Sequence, residues 1–133
     1  MTQTPFFDKT YDETMALLIA ARDYMAYAAP LNRPGQEPVQ RLRASCEALR
    51  LTARLSHVMA WLLAQKAVHA GEITQAKAAE AFRLSDEDTD LLEAEDGVST
   101  LPEGLQELLR KSRSLYIRVS RLDALVRRAA AQD

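Results

Sequence analysis

The stretch TLPEGLQELLRKSRSLYIRVSRLDALVRRAA, residues 100–130, decides the fold. Within it Leu101, Leu105, Leu108, Ser112, Leu115, Val119, Leu122, Val126 and Ala129 recur at alternating steps of four and three. That spacing holds one side of an α-helix toward its neighbours along its whole length, and only Ser112 interrupts it. Thr100-x-x-Glu103 is a capping-box pattern with Pro102 in the first turn, so the helix is expected over about 100–130. Arg110, Arg113, Arg121, Arg127 and Arg128 fall on the outer side, while Lys111 and Arg118 flank the seam. A seam of this length has to be buried against other helices.

Those helices lie upstream. A long one is expected from Pro38 to about Ala70, with no internal Gly or Pro and with Gly71 placed as its stop. Leu42, Cys46, Leu49, Ala53, Ala60, Leu63 and Ala67 form one stripe on it, and Leu51, Leu55, Val58 and Leu62 form a second. Between Val58 and Ala64 it is apolar all round, which a surface helix should not be. A first helix is expected over about 10–28, opened by the capping-box pattern Thr10-x-x-Glu13 and ended by Pro30, Pro34, Gly35 and Pro38. Phe7, Tyr11, Leu18, Ala21, Met25 and Ala28 mark its inner face. Residues 72–98 read as a short helix, Gln75 to Phe82, followed by an acidic loop. The expected architecture is a single all-α domain, an antiparallel three-helix bundle with one long central helix.

Composition sets the outer limits. A chain of 133 residues and 14.9 kDa suits one domain. With 47% hydrophobic and 27% charged residues it has the balance of a folded globular protein. Four glycines argue against glycine-rich phosphate loops. No apolar run approaches the roughly 20 residues that cross a bilayer, and no secretory pattern opens the chain. One cysteine and no leader fit a cytoplasmic protein. The net charge of −2 disfavours bulk attraction to nucleic acid. It hides segregation, since residues 38–66 carry five bases and one acid, 70–107 two bases and eleven acids, and 110–128 seven bases and one acid.

The helix lengths point to a partner. At 1.5 Å per residue the three helices span roughly 28, 50 and 45 Å, so the first covers about half the groove between the others. The uncovered part would include Val58, Met59, Trp61, Leu62 and Gln65, and a symmetric homodimer through these residues is the expected remedy. His57 and His69 stand twelve residues apart and cannot share a metal from adjacent turns. Cys46 reads as a small core residue. No nucleophile elbow or phosphate loop appears, so no catalytic, metal or cofactor residues are assigned and no enzyme is expected. Residues 71–92 imitate a DNA-binding helix-turn-helix, but Asp86, Glu87, Asp88 and Asp90 would face phosphates where bases are needed. They read instead as a docking strip for a basic partner, and Arg113, Arg118 and Arg121 as the face that docks an acidic one. The alternative is a nucleic-acid-binding regulator using the basic face of the third helix, although only Tyr116 is interleaved there as a stacking aromatic.

Three stretches together carry a family resemblance: FFDKTYDETMALLIAARDYMAY (6–27), RLTARLSHVMAWLLAQKAVHAGEIT (50–74) and SRSLYIRVSRLD (112–123). The combination resembles the regulator of CtrA degradation (RcdA) family of alphaproteobacteria, with the Trp61-Leu62-Leu63-Ala64-Gln65 core and the Gly71-Glu72-Ile73-Thr74 exit as its most specific part. The resemblance implies a dimer of three-helix bundles without catalytic activity. It also implies an adaptor that works with a response-regulator-like partner to bring protein substrates to the ClpXP protease at a cell-cycle transition. A flexible tail after the last helix is part of that implication. A paralogue that keeps the bundle without the full delivery role therefore stays open.

Overall fold

In the computed structural model, residues 4–84 and 101–132 are described. Every regular element among them is helical. We label the four main helices α1 (Thr4–Asp23), α2 (Pro38–His69), α3 (Gln75–Ala81) and α4 (Glu103–Gln132). The three long ones pack against one another pairwise, and the short α3 lies against α2 and α4. Phe7, Leu17 and Ala21 from α1, Tyr24 just after it, Leu51, Leu55, Val58, Trp61 and Leu62 from α2, and Leu105, Leu109, Leu115, Tyr116 and Val119 from α4 fill the space between them.

Helix α1 is longer than its capping pattern suggests. It is already helical at Thr4, and it continues past Asp23 through a π-helical turn, Tyr24–Ala28, into a last α-turn, Ala29–Asn32. Thr10 and Glu13 do not cap it. Thr14 donates its hydroxyl proton to the Thr10 carbonyl at 2.8 Å, and Glu13 reaches across to Arg118 on α4. In the π turn the Ala29 N–H donates to the Tyr24 carbonyl, one residue further back than in an α-helix. That widening sits directly before Pro30, which has no N–H to give and would crowd a regular turn. From Thr4 to Asn32 the helical run spans about 43 Å at 1.5 Å per residue. The half-uncovered groove expected from a short first helix is therefore filled within the chain.

Helix α2 keeps its expected limits. Pro38 takes the first helical position, and the Glu37 N–H donates to Gln40 Oε1 at 3.2 Å. At the other end the Gly71 N–H donates to the Val68 carbonyl at 3.0 Å and the Glu72 N–H to the Ala67 carbonyl at 2.9 Å. This is a Schellman closure, which puts the residue after the C-cap in the left-handed region. Gly71 occupies that place with φ +78°. Thr74 then caps α3 by accepting from the Lys77 N–H at 3.2 Å.

The direction of α4 corrects the antiparallel expectation. Phe7 of α1 lies 5.9 Å from Trp61 and 5.5 Å from His69, so α1 runs opposite to α2. Glu13 meets Arg118, and Tyr24 lies over Gly104, so α4 also runs opposite to α1. Arg54 pairs with Ser112 and Trp61 with Asp123, which makes α2 and α4 parallel. A parallel pair needs a connection that returns along the bundle. Residues 70–102 are long enough to provide it, since each extended residue spans up to about 3.5 Å. Leu84 and Leu101, at either end of the undescribed stretch, are both buried.

Candidate interaction surfaces

The core seam of α4 lies where the heptad spacing places it up to Val126: Leu105, Ser112, Leu115 and Val119 are buried, Leu108, Leu122 and Val126 are partly so, and Ala129 is exposed. On α2 the two apolar stripes separate. Leu51, Leu55, Val58 and Leu62 are fully buried, while Leu42, Leu49, Leu63, Cys46 and Ala53 are exposed. Cys46 is therefore a surface thiol and not the small core residue its stripe suggests. Periodicity alone cannot say which stripe turns inward, because both are apolar at helical spacing.

The residues expected to form a dimer contact are inside the chain. Val58, Trp61, Leu62 and Gln65 are buried and Met59 is half-buried. The Trp61 Nε1–H donates to Asp123 Oδ1 at 2.9 Å, and Arg127 Nε stands 3.2 Å from Asp123 Oδ2. The i,i+4 pair of Asp123 and Arg127 thus exists, but Asp123 is 2% exposed and faces the core. A surface built from the Trp61 cluster is not available to a second copy of the chain as folded here. A second polar link had no obvious sign in the sequence. Arg54 is buried on the inner stripe of α2 and donates from Nη1 to Ser112 Oγ at 3.1 Å, and Ser112 in turn donates to the Leu109 carbonyl at 3.0 Å. The interruption of the α4 seam at Ser112 is the place where it receives an arginine.

The arginine face of α4 divides. Arg121 is exposed and Arg113 is half-buried. Arg118 forms a two-pronged ion pair with Glu13 of α1, one prong at 3.1 Å, and the hydrogen bond it donates to that carboxylate raises its pKa above the usual value. Arg110 is held by Glu107, three residues before it. Tyr116 is 1% exposed, which removes the one aromatic on this helix that could stack on a base. Asp86, Glu87, Asp88 and Asp90 lie outside the described residues. Among the described residues no His, Cys, Asp or Glu side chains gather in a group of three that could hold a metal. No helix among them is long and apolar enough to cross a membrane.

A concave feature lies between the π turn that follows α1 and the first half of α2. Its cavity volume is about 220 Å³, with Tyr24, Ala44 and Ala48 beneath and Met25, Leu49 and Arg41 at the edges. Small residues at 44 and 48 help leave the hollow, since a larger side chain at either position would take up part of it.

These features define an all-helical protein that offers exposed helix faces and a shallow groove, with its buried polar groups used to hold helices in register. The chain belongs to the DUF1465 family, described as proteins of unknown function, whose model matches residues 1–133. Its structure is similar to the crystal structure of RcdA from Caulobacter crescentus CB15, at 31% sequence identity over 93% of each chain with a TM-score of 0.75. No curated protein matches it.

Proposed function

We propose that this protein is a non-catalytic adaptor in regulated proteolysis. In this reading it acts in the cytoplasm, as a homodimer, and brings selected protein substrates to the ClpXP protease together with a response-regulator-like partner. The observation that carries the reading is the likeness to RcdA along 93% of both chains at 31% identity, on a chain of the same family. Physically such a protein works by effective concentration, holding a substrate on one face and a protease-bound partner on another so that their encounter becomes nearly intramolecular. Arg118 and Arg121 are the exposed members of the arginine trio assigned to docking, Arg118 being held by Glu13, and residues 86–90 are their acidic counterpart in sequence. A dimer formed by this chain uses a face other than that of Trp61.

The test is a comparison of protein half-lives. In an alphaproteobacterium carrying the gene, protein turnover is measured by mass spectrometry after translation is stopped, in wild type, in a deletion strain and in a strain depleted of ClpX. A set of proteins that persists in both altered strains supports the adaptor reading. If no protein outlives its normal span in the deletion strain, the reading fails.

A further inference from the structure

Val39, Leu42, Cys46, Leu49 and Ala53 follow one another along α2 at steps of three, four, three and four. That is the spacing with which one helix receives another. None of them serves the protein's own core, since Val39, Leu42 and Leu49 are 74%, 66% and 63% exposed and Cys46 and Ala53 are exposed as well. An apolar seam left on the surface in this register is the mark of a partner site. Beside it lies the groove between Met25 and Leu49, which has room for a bulky side chain from outside.

Charge selects the partner. Arg41 and Arg43 are exposed beside the seam, and Arg41 stands at the groove's edge. The one acid within α2, Glu47, is buried and accepts a hydrogen bond from Arg50 at 3.0 Å. A second copy laid along this seam would set arginine against arginine, with no exposed carboxylate on the helix to offset them. We infer that the first half of α2, with the groove at its side, docks an acidic amphipathic helix of another protein. The partner's apolar residues lie along Val39, Leu42 and Leu49, one large side chain enters the groove, and its flanking carboxylates face Arg41 and Arg43. This site is built from α2 and the π turn beside it, and holds whether or not the protein serves proteolysis.

The experiment uses the full chain and two fluorescein-labelled synthetic helical peptides at nanomolar concentration. Both carry leucine at the seam positions; one has glutamate at the flanking positions and the other lysine. Fluorescence anisotropy should show the acidic peptide binding at least about tenfold more tightly than the basic one. Leu49→Asp should weaken it at least about tenfold, as should Arg41→Glu combined with Arg43→Glu. Leu125→Asp, at an exposed leucine of α4, should leave binding unchanged. Circular dichroism confirms that each variant is folded. Equal binding of the two peptides, or indifference to Leu49→Asp, overturns the inference. So does sedimentation showing that the unaltered chain is a dimer which Leu49→Asp dissociates, because the face then belongs to a second copy.

Discussion

Removing the indole N–H of Trp61 should destabilise the protein through Asp123 as much as through lost packing. The carboxylate is shut away from water, and its two oxygens face Trp61 Nε1 at 2.9 Å and Arg127 Nε at 3.2 Å. Trp61→Phe keeps an aromatic ring under Phe7 but takes away one of these partners. A hydrogen bond to a charged group contributes about 1.5–3 kcal/mol net. Losing one ring of the indole adds roughly 1–2 kcal/mol, in proportion to the cost of truncating a core aromatic to alanine. The expected loss is about 2.5–5 kcal/mol, a large share of the stability of a small domain. Asp123→Ala should cost about 2–4 kcal/mol, because it leaves the indole N–H buried and deprives Arg127 of its counter-charge.

The two changes report the same contact, so the double variant should lose less than their sum by about 1 kcal/mol or more. Urea unfolding followed by far-ultraviolet circular dichroism measures all three variants, since fluorescence is lost with the single tryptophan. Costs that add to within about 0.5 kcal/mol would refute the link. A wild-type emission maximum typical of an indole in water would refute the burial itself.

Six further substitutions probe the rest of the frame. Leu55→Ala and Leu62→Ala should each cost about 2–5 kcal/mol, whereas Leu42→Ala and Leu49→Ala should fall within about 0.5 kcal/mol of wild type; the opposite ranking in urea unfolding would mean that α2 turns its other stripe inward. Gly71→Ala places a side chain in the left-handed region and should cost about 1–2 kcal/mol, read as a lowered thermal midpoint, with no change if the helix ends by another route. Arg118→Ala breaks an exposed ion pair and should cost less than about 1 kcal/mol, and the effect should shrink in 1 M salt, where charges are screened beyond about 3 Å.

The helical character and the limits of α2 were legible because they rest on local chemistry. Pro38 and Gly71 mark the ends of α2, and the spacing of Leu105, Leu115 and Val119 marks the inner face of α4. What escaped depended on which of two equivalent patterns the tertiary structure would use. Thr10-x-x-Glu13 has the composition of a cap, yet the helix runs through it because Phe7 has a core site to fill against Trp61. The inner stripe of α2 holds Arg54 and Gln65, which makes it look the more polar of the two, and only the partner Ser112 on α4 explains the arginine. A first helix confined to residues 10–28 leaves the core around Trp61 uncovered and calls for a second chain. With the helical run extending from Thr4 to Asn32, the same residues are satisfied at home.

The parallel course of α2 and α4 also separates the surfaces that could act on partners. Arg41 and Arg43 stand near the start of α2, at the end of the bundle where Tyr24 meets Gly104. Arg121 lies late in α4, level with the contact between Trp61 and Asp123. Counted along α2 from residue 41 to residue 61, the two basic regions are about 30 Å apart at 1.5 Å per residue. In an antiparallel pair of these helices Arg121 would come to the same end as Arg41, and partners there would compete for space. Thirty ångströms along a rigid axis instead leaves room for two protein surfaces at once, which is the geometric condition for raising the effective concentration of one bound protein near another. The connection through residues 70–102 that turns α4 around is therefore what would let a chain this small hold two proteins rather than one.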